Sequence, residues 1–290
     1  MYISLNGKIV HKDEAMISPF DHGFLYGLGL FETFRVYEGH PFLLDDHLAR
    51  LNRGMEALNI YGCFTRVEVK ALLERLLDNN QYQNARIRMN VSAGIGEVGL
   101  KTTPYLSPNV MIFSSELQRE VTKNEKKAVV LELPRNTPEG KERLKSHHFL
   151  NNILAKREIG NHPDIEGVFL TADGYLAEGV SSNLFWLAGG TLFTPAISTG
   201  ILDGITRQFI IHVAGEIGWR VEEGHYTLQQ ALNAEEVFVT NSVQEICALT
   251  DFAGKRFPGY QGEYVNELHR LYQQYRRTLW SRTEVQEESL

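Results

Sequence analysis

The run ARIRMNVSAG, beginning at Ala85, alternates residue by residue. On an extended chain Arg86, Arg88, Asn90 and Ser92 fall on one face, and Ile87, Met89 and Val91 on the other. A period of two is incompatible with a helix, so this stretch predicts a strand with one apolar and one polar face. FETFRVY (31–37) and NVMIFSS (109–115) repeat the signal, and beyond residue 127 short strands dominate: AVVLELP, EGVFLT, YLAEG, NLFWLA, TLFTP and EEVFVTN. Helical spacing predicts helices over 45–59 (Leu48, Leu51, Met55, Leu58), 66–79 (Val69, Leu72, Leu73, Leu76, Leu77), 146–159, 205–217 and 264–279. Helices and strands intermixed in this way specify an α/β fold of the mixed, α+β kind.

The 290 residues leave room for two domains. SELQREVTKNEKK is polar, charged and without apolar period, so it is the expected interdomain linker, 115–127. That leaves a small α/β domain over 1–114 and a larger one over 128–290. With 43% hydrophobic and 22% charged residues, each can bury a core. The formal net charge of -7 and the lack of a basic run argue against a nucleic-acid partner. Cys63 and Cys247 carry no CxxC spacing and read as thiols in a reducing compartment. MYISLNGKIV reads as a hairpin turning at Asn6-Gly7 rather than as a signal peptide, and no apolar stretch reaches a membrane-spanning length. The expectation is a soluble, cytoplasmic protein with no membrane partner and a frayed acidic tail, TEVQEESL.

Three stretches carry potential chemistry. In RLKSHHFLNNILAKREIG (143–160), a loop ends at Lys145 and a helix is expected from about Ser146, a candidate N-cap, with Phe149, Ile153 and Leu154 on its apolar stripe. A lysine held partly out of water at such a point has a lowered pKa and can act as an amine nucleophile; a solvated surface charge is the plain alternative. In TGILDGITRQFII, Gly204-Ile205-Thr206 lies where a turn becomes a helix, so backbone N–H groups and the Thr206 hydroxyl either hold an anion or simply start a helix. No lysine follows at P-loop spacing. In YLAEGVSSNLFW, Glu178 ends a strand before Ser181-Ser182-Asn183. A carboxylate emerging from buried strands needs a cation, either a core arginine or a protonated ring nitrogen. Asn at 183 removes the GxSxG of a hydrolase elbow. Gly94 to Gly99 spells GxGxxG, but LKTTPYLSP behind it cannot open the helix that dinucleotide binding requires, so it reads as a loop. His147 and His148 point apart on a helix, and none of the ten histidines shows HxxxH spacing, so no metal is expected.

Taken together, SPFDHGFLYGLGLFETFRVYEG, DDHLARL, RLKSHHFLNNILAKREI, AEGVSSNLFW, GILDGITRQFI and EEVFVTNSVQEI resemble, in order and over nearly the whole chain, the fold-type IV pyridoxal-phosphate enzymes. That family contains D-amino-acid and branched-chain aminotransferases and 4-amino-4-deoxychorismate lyases. The run RNTPEGKERLKSHHFLNNILAKREIG is most similar to the lyases. The resemblance implies a two-domain fold with a large cofactor-binding domain, pyridoxal 5'-phosphate as cofactor, and a homodimer in which a loop of the second subunit completes the substrate entrance. It implies that Lys145 carries the Schiff base and is the catalytic base, and that Glu178 pairs with the pyridine nitrogen. Arg50, Gly204, Ile205, Thr206, Thr240 and Asn241 would hold the phosphate, Leu202 would pack on the ring, and Ser182 and Asn183 would line its edge. Phe31, Thr33, Arg35 and Arg88 would meet the substrate. D-amino-acid aminotransferases carry an arginine and a histidine where this chain has Val98 and Leu100, which weakens that reading. The branched-chain enzymes share Phe31, Arg35 and Arg88 and stay open as the alternative. The expected reaction is conversion of 4-amino-4-deoxychorismate to 4-aminobenzoate and pyruvate, a step of folate biosynthesis, with Arg35 and Arg88 facing the two carboxylates.

Overall fold

The structure is a computed structural model that describes residues 1–117 and 124–285. The chain forms two compact units, and the division is not a single cut. The first comprises Met1–Glu120, Leu144–His148 and Arg276–Ser281; the second comprises Val121–Arg143, Phe149–Tyr275 and Arg282–Leu290.

In the first unit, β1 (Tyr2–Leu5) and β2 (Lys8–His11) form the hairpin, turning through Asn6 (φ 50) and Gly7 (φ 79) as an Asn-Gly turn requires. Then follow α1 (His22–Tyr26), β3 (Gly29–Tyr37), β4 (His40–Pro41), α2 (Leu44–Ala57), α3 (Arg66–Asn80), β5 (Ala85–Ser92) and β6 (Asn109–Glu116). The strands make a six-stranded antiparallel sheet in the order β2-β1-β6-β5-β3-β4. Its apolar face, with Leu30, Phe34, Val36, Ile87, Met89, Val91 and Ile112, packs against Leu48, Leu51 and Met55 of α2 and Val69, Leu73 and Leu76 of α3. The other face carries Phe31, Thr33 and Arg35, directly opposite Asn90, Arg88 and Arg86. Thr65 caps α3 in a reciprocal pair with Glu68. Leu43, at the start of α2, has φ 54 and makes no side-chain cap. Its N–H and that of Asp45 donate instead to the carbonyls of Leu279 (3.1 Å) and Trp280 (3.0 Å).

The second unit contains β7 (Asn124–Val130), α4 (Leu150–Ile159), β8 (Ile165–Leu170), β9 (Leu176–Gly179), β10 (Asn183–Ala188), β11 (Thr191–Pro195), α5 (Ile205–Glu216), β12 (Arg220–Gly224), α6 (Leu228–Leu232), β13 (Glu236–Asn241), β14 (Glu245–Phe252), β15 (Lys255–Arg256) and α7 (Glu263–Tyr275). Its nine-stranded sheet runs β12-β11-β10-β13-β14-β7-β8-β9, with β15 beside β14. It is mixed: β11–β12, β14–β7 and β7–β8 are parallel and the remaining pairs antiparallel. One core gathers Val168, Leu176, Leu184, Trp186, Val237, Val239 and Leu249; a second gathers Leu131, Ala155, Phe169, Ala177 and Ile201.

Three expectations shift. The helix expected from Ser146 begins at Leu150. Residues 145–147 are held extended on β3: Phe31 N donates to Lys145 O (2.9 Å), His147 N donates to Gly29 O (2.9 Å), and Ser146 bridges Leu30. The helix expected over 264–279 stops at Tyr275, because the following residues belong to the first unit and supply the carbonyls that cap α2. Within 115–127, β6 reaches Glu116 and β7 begins at Asn124, while 118–123 lie outside the described residues. The polar start of β7 hides its strand character, because Lys126 crosses to Glu166 (3.0 Å) instead of adding to an apolar period. The last residues of the acidic tail, 286–290, also lie outside the described residues. Gly94 to Gly99 forms a loop, as its flanking sequence required.

Candidate active site

In the first unit, Lys145 follows from the extended path of its segment. The two backbone bonds to β3 bring it beside Phe31, and its Nζ lies 4.6 Å from the centre of the Phe31 ring. Arg88 rests on the same ring, with its Cζ at 3.8 Å, and its Nε donates to Asn90 Oδ1 (2.9 Å). Burial, and then the charge of Arg86, lowers the Arg88 pKa. His147 lies over Gly29, where a Cβ would collide with its ring, and its Nε2 donates to Leu30 O (3.1 Å). Burial and the nearby Arg88 depress its pKa. His148 reaches a different carbonyl, Tyr26 O (3.2 Å), so the two histidines do not act together. Thr33 stands directly across from Arg88 in the β3–β5 register. Arg35 is only 3% exposed, with its guanidinium 5.0 Å from the centre of the Tyr37 ring.

Arg50 projects from α2 to the helix-covered face of β3. Its Nε donates to Glu32 Oε1 (2.8 Å) and its Nη2 to Oε2 (2.7 Å), a bidentate pair. His47, one turn earlier on α2, donates from Nδ1 to Oε2 (2.7 Å). Burial alone would raise the Glu32 pKa, but Arg50 and His47 outweigh it and hold the carboxyl at about 2. Burial keeps the His47 pKa below its ordinary value, against the pull of Glu32. Glu32 and His47 were not singled out in the sequence. The signal was there, because an acid at the even-numbered, apolar positions of β3 must find cations.

In the second unit, Glu178 ends β9 and is 4% exposed. Its Oε1 accepts from Arg135 Nε (2.8 Å); its Oε2 accepts from Leu202 N (3.0 Å) and Asn183 Nδ2 (3.4 Å). The core arginine allowed for Glu178 is therefore Arg135, whose Nη1 is in turn held by Asn151 Oδ1 (2.7 Å) and Asn136 Oδ1 (3.2 Å). Arg143 lies 4.0 Å from the same carboxylate, and burial and the charge of Arg135 lower its pKa to about 10. Asn183 also donates to Leu202 O (2.8 Å) and stands so close to Gly204 that a Cβ there would strike its Oδ1. Glu178, Asn183, Leu202 and Gly204 thus form one connected group. Gly204 is the N-cap of α5 and provides no side-chain cap, which leaves the first amides of the helix, Ile205 and Thr206, without that partner. Thr206 Oγ1 lies 3.4 Å from Ser242 Oγ. Thr240 pairs with Asn183 in the β10–β13 register, and its buried hydroxyl has no hydrogen-bond partner among the described residues. Asn241 is occupied in the next turn, accepting from Val243 N (2.9 Å) and Gln244 N (2.7 Å) and donating to Ser181 O (3.1 Å). Ser182 donates to Glu166 Oε1 (2.9 Å), the carboxylate that also pairs with Lys126. Among the described residues, no three His, Cys, Asp or Glu side chains are placed to hold a metal ion, and no helix is long and apolar enough to cross a membrane.

This geometry has known relatives. Residues 29–251 match the model of the class IV amino-transferases, and the chain belongs to that family. It is 48% identical over 272 residues to an aminodeoxychorismate lyase of Bacillus subtilis (strain 168), covering 93% of each chain. Among solved structures it is similar to the branched-chain aminotransferase of the archaeon Thermoproteus uzoniensis with norvaline (TM-score 0.84, 25% identity, 94% of each chain). It is similar also to a T.th. branched-chain amino acid aminotransferase complexed with N-(5'-phosphopyridoxyl)-L-glutamate (TM-score 0.83, 26% identity, 94% of this chain and 93% of that one). The fold is the fold-type IV architecture. Enzymes of this family are pyridoxal-phosphate-dependent.

The residues present fit that cofactor. A phosphate dianion suits the α5 amides that lack a side-chain cap, and the orphaned Thr240 hydroxyl is a donor of the right kind. Glu178 is a buried carboxylate fixed by three donors, the type of acceptor a protonated ring nitrogen requires. Lys145 is an amine held against an aromatic ring by a backbone ladder.

Proposed function

We propose that this chain is a pyridoxal-phosphate-dependent lyase that converts 4-amino-4-deoxychorismate to 4-aminobenzoate and pyruvate, a cytoplasmic homodimeric enzyme of folate biosynthesis. The single observation that carries the reading is the 48% identity to an aminodeoxychorismate lyase, sustained over 93% of both chains. Transamination of branched-chain or D-amino acids is chemistry of the broader family.

Bound pyridoxal phosphate supplies an electrophilic carbon for the substrate amine and a cationic ring that accepts the electron pair left when a proton is removed beside that nitrogen. Lys145 would hold the cofactor through its amine, and its Nζ would take the proton from the substrate ring carbon that bears the amino nitrogen. Loss of that C–H bond and of the neighbouring C–O bond completes the aromatic ring, and the enolpyruvyl group leaves to become pyruvate after gaining a proton. The balance needs no keto-acid acceptor.

Glu178 would keep the ring nitrogen protonated, and its carboxylate is held by Arg135, Asn183 and the Leu202 amide. Leu202 would pack on the ring, and Ser182 and Asn183 would line its edge. Gly204 lets the chain pass close to Asn183 and start α5, so that Ile205, Thr206, Thr240 and Asn241 would hold the phosphate, a role the resemblance also gives Arg50. Glu32 and His47 keep the Arg50 guanidinium oriented. Phe31, Thr33 and Arg88 would face substrate, with the Lys145 amine and the Arg88 guanidinium both against the Phe31 ring, whereas Arg35, given the same role by the resemblance, is buried over Tyr37. Exposed Phe24, Val98 and Leu100 are apolar surface suited to a second copy of the chain.

The test is to mix purified holoenzyme with aminodeoxychorismate in the absence of any keto acid. Equimolar pyruvate and 4-aminobenzoate are expected. Product formation only when a keto-acid acceptor and an amino acid are supplied would replace the lyase with an aminotransferase.

A further inference from the structure

β5 turns two guanidinium groups to one face of its sheet. Arg86 stands directly opposite Arg35 and Arg88 opposite Thr33. Same-face neighbours on a strand are two rises apart, roughly 6.6 Å. Starting from Phe31, against which Lys145 lies, the face therefore presents Arg88 first and Arg86 one step further along.

The two arginines differ in how they are held. Arg86 is exposed. Arg88 lies on Phe31 and donates to Asn90, although it too is exposed. Among the described residues neither has a carboxylate partner, and the charge felt by Arg88 is that of Arg86. Like charges side by side on a sheet face destabilise it, and an anion bound between them removes that cost. Arg35, assigned to a substrate carboxylate by resemblance, is placed differently. It is buried, and the Tyr37 ring it covers is also covered by Arg276, each guanidinium 5.0 Å from the ring centre.

We infer that Arg86 and Arg88 form a two-point clamp for the two carboxylates of the substrate, and that Arg86 is its specificity-determining half. The inference rests on the lyase reading above and deepens it. In aminodeoxychorismate the enolpyruvyl ether is on the carbon next to the reacting amine, whereas the ring carboxylate lies across the ring from that amine. Arg88, which shares the Phe31 ring with Lys145, therefore takes the enolpyruvyl carboxylate. Arg86, one step further out, takes the ring carboxylate. A substrate with a single carboxylate engages only one point of the clamp.

Arg86→Gln on the holoenzyme separates the possibilities, since an exposed side chain can change without disturbing the core. The expected result is a roughly ten- to hundredfold higher KM for aminodeoxychorismate at nearly unchanged kcat, the loss of one charge-assisted contact. 4-Aminobenzoate retains only the ring carboxylate, so its Kd, measured by calorimetry, should rise by a similar factor. Arg86→Lys should recover part of both. An Arg86→Gln enzyme with wild-type KM and wild-type 4-aminobenzoate affinity overturns the clamp, whether or not light scattering shows altered assembly. If the wild-type enzyme releases no pyruvate from aminodeoxychorismate, the lyase reading falls and the clamp with it. Wild-type turnover with an indifferent Arg86 rejects the clamp alone.

Discussion

Glu32→Gln removes one charge from a buried, multiply paired acid of the first unit and alters almost no volume. The carboxylate is 1% exposed and accepts from Arg50 twice, at 2.8 and 2.7 Å, and from His47 at 2.7 Å. Its pKa falls from 4.5 to about 2, the net of a burial penalty and a larger gain from Arg50 and His47. At 1.36 kcal/mol per unit, that shift corresponds to about 3 kcal/mol of stability linked to the ionised form. Because the folded pKa lies below the unfolded one, the contribution is complete above the unfolded value of 4.5 and is lost as pH falls toward about 2. Glutamine leaves Arg50 facing a neutral acceptor and turns an amide N–H toward a donor, so a cost of about 3 kcal/mol is expected at pH 7. Denaturant unfolding of the cofactor-free protein can be followed through Trp280, which sits in the same unit with Arg66 at 4.8 Å and His40 at 4.6 Å from its ring. Replacing Trp186 and Trp219, both in the second unit, by Phe removes the competing signal. The variant's midpoint should fall at pH 7, and its deficit relative to the parent should shrink below pH 4.5. Equal midpoints at pH 7, or a deficit that grows as acid is added, would refute the pairing as the source of the stability.

Lys145→Ala should remove the visible absorbance band of the holoenzyme and lower turnover by orders of magnitude with the fold retained; a borohydride-reducible cofactor adduct persisting in the variant would contradict its role. Glu178→Gln should still bind cofactor and lose most activity, because a neutral amide cannot hold the ring nitrogen protonated; near-normal turnover would make Glu178 a structural partner of Arg135 only. Thr206→Val removes a phosphate donor and should weaken pyridoxal-phosphate binding about tenfold in an equilibrium titration, with an unchanged Kd counting against the α5 cup. Light scattering should give a dimer at working concentration, and a fully active monomer would dismiss the second subunit from the site.

Local pattern alone determined much of this protein. The alternation over 85–92 became β5 with Ile87, Met89 and Val91 buried, because a period of two admits one buried face. Asn6-Gly7 closed the first hairpin, since both residues tolerate the positive φ such a turn demands. The ordered motifs by themselves point to the family, and with it the cofactor. Glu178 at a strand end required a cation, but only the fold supplied Arg135, from 43 residues away. Tertiary structure alone decided the segment at Lys145. Its local signal favoured a helix from Ser146, yet backbone bonds to Phe31 and Gly29 hold it extended and delay the helix to Leu150. The same holds for the end of α7, where the carbonyls of Leu279 and Trp280 cap α2 instead of continuing a helix. The fate of the arginines was equally hidden. Alternation puts Arg86 and Arg88 on one face of their strand and Arg35 on a face of its own strand with Phe31 and Thr33. Only the fold sets those faces side by side, buries Arg35 over Tyr37, rests Arg88 on Phe31 and leaves Arg86 exposed. Partners far apart in sequence leave no local trace, and the energy of a buried charge depends on those partners.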